Sequence, residues 1–364
     1  MLLPLRLRLR SSSTAELPDP YLHNPWYRKS RQVKAALHLA SAALPIRCCA
    51  GTNQELHQAL SKLEAATAIV IDRSALATLL LTRNVALLKK ISFPLKISYG
   101  TLRNLRQFYL DQRVSKEQGF VLKEGDRFIF RETDITQRRQ YVDNIKELVD
   151  VLEEVATVEE GRAFASIAKH DRDRIKNVFG RSCGESIALA KAQGHVLWLD
   201  DLPLNHLAAG SYQVSTIWTQ ALASYFFDKE LISEGEFYPL SFQLLKATYT
   251  STRVVPNLLY YFGKKASWST DDSNLASLLA WFSNADIPAQ VNTWIASNVI
   301  LHVMTTVSDQ TIGDKFISAI LTYIRARFDG QTLLEAFRGQ IASEWTTHQI
   351  DIQRLDRLIS ECLQ

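Results

Sequence analysis

Cysteine is scarce in this 364-residue chain, and the four copies are placed for no recurrent use. Cys48 and Cys49 are adjacent, whereas Cys183 and Cys362 stand far apart. Neither a zinc-ligand spacing nor a secreted disulfide framework can be read from them, and a reducing cytoplasm fits best. Also missing is any apolar run of the roughly 18 to 20 residues that a membrane span requires. Charge of one sign is lacking too: 42 basic side chains face 38 acidic ones, and the resulting +4 is too small to argue for nucleic acid by itself. It is merely compatible with RNA or DNA. No internal repeat and no low-complexity tract occurs.

A nucleophile elbow is suggested and then excluded. Gly180-Arg-Ser182-Cys-Gly184 has the G-x-S-x-G spacing of a serine hydrolase, but such an elbow follows a buried strand. Here the preceding stretch, His170 to Phe179, is polar and reads as a helix. Cys183 has no spaced histidine partner, and His170, His195 and His206 lack metal-ligand spacing.

What is present is ordinary globular material, 46% hydrophobic and 22% charged, in a chain longer than one core usually serves. The opening Leu/Arg alternation of residues 1–10 reads as a tail or cationic surface segment, followed by a proline-rich connector and a helix near Ser30–Ala43. A further helix is expected over Asn53–Ala65. Ala68-Ile-Val-Ile-Asp72 then gives a short buried strand that ends on a carboxylate and runs into the helix Ser74–Leu81. Phe93–Ser98 and Thr101–Asp111 repeat the strand-to-helix pattern, with Leu102, Leu105 and Phe108 on one face.

Gly125-Asp126 between alternating apolar residues predicts a hairpin over Gly119–Thr133, at the sheet edge or outside it. A long helix follows over Ile135–Val155, then a helix from Glu185 to Ala192 and the strand His195–Leu199, which again ends on carboxylates, Asp200 and Asp201. Ligand crevices of open parallel sheets lie at the C-terminal strand ends, so Asp72 and Asp200/Asp201 can converge although distant in sequence. After Pro256 the alternation stops and the periodicity is helical throughout, with Trp268, Trp281, Phe282 and Trp294 as candidate core. The chain therefore divides into a lead-in over residues 1–66, an α/β domain over 67–255 and a helical subdomain over 256–364.

Two segments resemble the PIN-domain family. Ile69-Val-Ile-Asp72-Arg-Ser-Ala is similar to its first strand and helix, and Gly184-Glu185 through His195-Val-Leu-Trp-Leu-Asp200-Asp201 is similar to its later helix, strand and acidic turn. Ser215–Leu222 and the helices after it further resemble the bacterial branch associated with tetratricopeptide-repeat and GreA/GreB C-terminal-like proteins. The resemblance implies a parallel sheet between helices and a metal-dependent nuclease, most simply an endoribonuclease. Asp72, Glu185 and Asp201 would be ligands to Mg²⁺ or Mn²⁺, with Asp200 beside them.

Hard oxygen donors suit such cations, and clustered carboxylates repel one another unless a cation is present. One family acid is missing, because its place in the helix after the second strand holds Asn104. The alternative is a catalytically degenerate scaffold for protein or nucleic-acid binding, with the C-terminal helices docking a partner protein. Each acid also has a structural reading: Asp72 as a helix N-cap, Asp200-Asp201 as a solvated turn, Glu185 as a complement to a helix N-terminus. Arg103, Arg106 and Arg113, near Phe108 and Tyr109, read either as a phosphate-binding face or as a solvated helix surface.

Overall fold

The computed structural model describes residues 46–114, 119–124, 127–132, 134–250, 252–283, 289–325 and 352–363. The helix expected near Ser30–Ala43 and residues 326–351 of the region expected to be helical lie outside the described residues, as does the hairpin turn itself. The chain forms two compact units, one of Met1–Leu231 with Leu244–Ser251, the other of Ile232–Gln243 with Thr252–Gln364.

In chain order the first unit contains β1 (Ile46–Arg47), α1 (Asn53–Glu64), β2 (Ala68–Ile71), α2 (Arg73–Thr82), β3 (Leu95–Ser98) and α3 (Tyr99–Val114). Next come β4 (Gly119–Glu124), β5 (Arg127–Glu132), α4 (Ile135–Val155), β6 (Ala156–Glu159), α5 (Arg162–Ala165), α6 (Lys169–Val178) and α7 (Arg181–Ala190). It closes with β7 (His195–Trp198), α8 (Leu202–His206), β8 (Ser215–Ile217) and α9 (Thr219–Asp228); α10 (Glu234–Lys246) then leads to β9 (Tyr249–Thr250).

Five parallel strands in the order β6-β3-β2-β7-β8 make the main sheet. Ala-Ile-Val-Ile of β2 takes its centre because an unbroken apolar run is buried on both faces, and all four residues are inaccessible or nearly so. Successive side chains alternate. Val70 and Leu197 join a core with Phe164, Ile175 and Ile187 from α5, α6 and α7 and with Phe179 just after α6, which places Ile69 and Ile71 on the other layer. The strands expected at 68–72, 93–98 and 195–199 are adjacent, with Ile71 paired to both Ile97 and Trp198. The edge strands β6 and β8 carry no comparable apolar run and were not legible as strands. β4 and β5 form an antiparallel hairpin of their own.

Local chemistry explains the helix starts. Thr52 caps α1 by accepting from the Glu55 N–H, and the Glu55 carboxylate reaches back to the N–H groups of Ala50 and Gly51. On α3 the buried face is Leu102, Leu105 and Phe108, as its spacing requires.

The second unit is helical among its described residues: part of α10, then α11 (Pro256–Lys265), α12 (Ser273–Ala280), α13 (Ala289–Thr306), α14 (Gln310–Arg325) and α15 (Ile352–Leu363). Its core holds Leu258, Phe262, Leu278, Phe282, Ile300 and Phe316, and Trp268 meets Phe316 edge-on at 5.1 Å. Trp294 departs from the sequence reading, because it is 44% exposed instead of packed in the core. No helix among the described residues is long and apolar enough to cross a membrane.

Candidate active site

Parallel pairing brings the C-terminal ends of β2, β3, β6 and β7 to one edge, and the acids sit there. Asp72 follows Ile71, and its N–H still donates to the Trp198 carbonyl at 2.9 Å. The side chain is wholly buried and caps α2, with Oδ2 accepting from the Ser74 N–H and the Ser74 hydroxyl, each at 3.1 Å. The N-cap reading is therefore present, but it uses one carboxylate oxygen. Oδ1 is buried without a hydrogen-bond partner among the described residues.

Asp200 and Asp201 arrive from β7 and are split between two tasks. The Asp200 N–H donates to the Ser74 hydroxyl at 3.0 Å, so one hydroxyl links both strand ends. The Asp200 carboxylate turns inward, accepting from the Thr219 N–H at 2.8 Å and from the Thr219 hydroxyl. It is buried, not a solvated turn. Burial raises its pKa, the Thr219 hydrogen bonds pull it back, and the Asp72 charge adds to the rise. Asp201 is half-buried and caps α8, with Oδ1 accepting from the Leu204 N–H at 2.8 Å.

Three acids thus share one neighbourhood. The Cys183 sulfur lies 3.8 Å from Asp72 Oδ2, and burial pushes its thiol pKa up, helped by the Asp72 and Asp201 charges and opposed by Arg73. A thiol so disfavoured for ionisation is not a nucleophile. Ser182 lies inside α7, with α6 instead of a strand before it, so the elbow reading fails on structure as well. Gly180, at φ 87°, supplies the left-handed turn between the two helices.

Glu185 is held elsewhere on this edge. Its side chain is about 5% exposed; the carboxylate accepts from the Gly100 N–H at 3.1 Å and pairs with Arg181 at 2.8 Å. A Cβ on Gly161 would fall 2.6 Å from its Oε1, so the backbone after β6 forms a fitted wall against it. Among the described residues no three His, Cys, Asp or Glu side chains are gathered closely enough to hold a metal. Gly161→Val is expected to expel the Glu185 carboxylate and cost about 1–3 kcal/mol through overpacking, readable as a lowered urea midpoint.

Asn104 sits half-exposed on α3. Of the arginines singled out on that helix, Arg106 pairs with Glu153 at 2.8 Å, so the solvated-surface reading describes it. Sequence reasoning missed Ser74 and Thr219, whose hydroxyls orient Asp72 and Asp200. Their only signal is a small polar residue near a strand end, too common to stand out.

Residues 70–210, which span both strand-end acids and the sheet centre, match the family model described as a PIN domain associated with the TPR-GreAB-C-PIN system. Over residues 70–210 the chain is PIN-domain-like. No curated protein and no solved structure is matched.

The donor set of this PIN-like domain suits a hard divalent cation in one respect. Mg²⁺ is commonly held by one or two carboxylates, its own waters and substrate phosphate, without a full protein cage. Asp72 has an unsatisfied oxygen for that task; Asp200 is committed to Thr219, which leaves Asp201, whose charge like that of Asp72 acts on Cys183, as the candidate companion. PIN domains generally use divalent metals.

Proposed function

We propose that the PIN-like domain is a metal-dependent nuclease acting on RNA as an endoribonuclease, with Mg²⁺ or Mn²⁺ held by Asp72 and Asp201. The observation that carries this is the Asp72 Oδ1 atom, buried and unpartnered at the strand edge where Asp200 and Asp201 also lie. A buried carboxylate oxygen left unsatisfied is costly, and a cation would relieve it. The chemistry such an ion supplies is charge neutralisation at a phosphodiester and activation of water for its hydrolysis.

The chain's own residues prepare the place. Ser74 fixes the Asp72 rotamer, the cap on α8 fixes Asp201, and the Thr219 clasp on Asp200 holds β7 in register. Glu185 could join only if its Arg181 pair opened. A reducing cytoplasm, compatible with the buried free cysteines, belongs to the same reading.

A second reading is favoured by two observations, the neutralisation of Glu185 by Arg181 and the amide at Asn104. In it the domain is a scaffold without catalysis, and the helical region docks a partner protein. Purified full chain is to be incubated with single-stranded RNA in Mn²⁺ or in chelator, with thermal unfolding followed in parallel. Cleavage confined to Mn²⁺, together with a raised unfolding temperature, supports the nuclease; absence of both leaves the scaffold.

A further inference from the structure

The second unit contains a cleft of about 510 Å³, within the span of about 300–1,000 Å³ usual for small-ligand sites. Its chemistry is set by the register of α11. Asn257, Tyr260, Tyr261, Lys264 and Lys265 recur at three- and four-residue spacing on one face, while Leu258, Leu259 and Phe262 are buried on the other. Glu234 and Tyr238 from the start of α10 complete the lining.

The aromatic walls are organised. The ring of Tyr261, half-buried, packs at 5.3 Å and 40° on that of Tyr238, which is buried, so Tyr261 is the ring of the pair that reaches the cleft. Tyr260 is fixed behind them, with its ring stacked on His302 at 4.0 Å and its hydroxyl donating to the Asn298 carbonyl at 3.0 Å. The Asn257 side chain hydrogen-bonds the Tyr238 hydroxyl.

Two ammonium groups stand against one carboxylate at the cleft. Lys265 already lies 6.0 Å from the Tyr261 ring centre, so a further cation would meet repulsion there and a quaternary ammonium ligand is disfavoured. A ligand must instead pair a flat π-face with negative charge. We propose that this cleft binds one nucleotide unit, its base against Tyr261 and its phosphate at Lys264 and Lys265, with Glu234 accepting from a base amino group or a ribose hydroxyl. The unit is either a free nucleotide or one residue of a single strand, which share this chemistry. The proposal does not depend on the nuclease reading.

Calorimetric titration of the full chain in chelator, where metal-dependent hydrolysis is silent, tests it with AMP, UMP, adenosine and an oligouridylate strand. AMP or UMP, or the strand, is expected to bind, with adenosine weaker than AMP. Tyr261→Ala should weaken binding by about ten-fold or more, the usual consequence of losing one base-stacking ring, and Tyr261→Phe should restore it. Lys264→Glu with Lys265→Glu, both at exposed positions that the fold does not need, should weaken binding and flatten its salt dependence.

Saturation by mononucleotides assigns the cleft to free nucleotide; binding of the strand alone assigns it to one residue of that strand. The proposal is overturned if neither binds, or if the doubly charge-reversed chain binds as the parent does. Inactive Asp72→Asn chain should bind unchanged, which separates failure here from failure of the nuclease reading.

Discussion

Asp72→Asn is expected to abolish Mn²⁺-dependent RNA cleavage while leaving the chain folded and, without metal, slightly more stable. The fold tolerates the change because Asn caps a helix about as well as Asp, and an amide oxygen can accept the same bonds from the Ser74 N–H and hydroxyl. One negative charge leaves a buried pocket that also holds Asp200, whose pKa the Asp72 charge helps to raise. Relief of that repulsion should add on the order of 1 kcal/mol. Metal binding moves the other way, since the unpartnered Oδ1 is the group a cation would satisfy. The variant should therefore melt higher in chelator and lose the Mn²⁺-induced rise. Cleavage by Asp72→Asn at the parent's rate would sink the nuclease assignment, and so would an equal Mn²⁺ response in both chains.

The centre of the sheet was legible because burial on both faces leaves an unbroken apolar run, as in Ala68–Ile71 and Val196–Trp198. Edge strands have no such mark. Thr157 and Val158 of β6 are exposed, so the sequence there alternates weakly and runs on from the long helix α4 without a break. At the site, chain order placed Asp72, Asp200 and Asp201 on one edge, since parallel strands must end together. Side-chain direction was beyond that logic. Nothing in the dipeptide Asp200-Asp201 says which carboxylate turns inward to Thr219 and which caps α8. Likewise, Glu185 and Arg181 at a four-residue helical spacing could be seen as a pair only once the helix start was known to be Arg181.

Asp200→Ala should cost the first unit about 2–4 kcal/mol, because it leaves two donors without their acceptor at a buried position. Both the Thr219 N–H, at the first turn of α9, and the Thr219 hydroxyl end on this carboxylate. The same hydroxyl accepts from the indole N–H of the buried Trp198 at 3.0 Å, so its reorientation disturbs the end of β7 as well. Asp200→Asn keeps an acceptor for the Thr219 N–H and should cost less.

The pH dependence distinguishes the two causes. Burial raises the folded-state pKa of Asp200 above its unfolded value, so the native chain binds the extra proton between those values. Stability from this group is then full below the unfolded pKa and declines as pH rises through the folded one. Asn cannot titrate. In metal-free buffer the penalty of Asp200→Asn relative to the parent should shrink as pH rises from the ordinary carboxylate range toward neutrality, whereas the loss in Asp200→Ala should stay large throughout. Urea unfolding at a series of pH values reads both. A penalty for Asp200→Ala below about 0.5 kcal/mol, the size of an ordinary surface change, would show that the clasp between β7 and α9 does not hold the site in register.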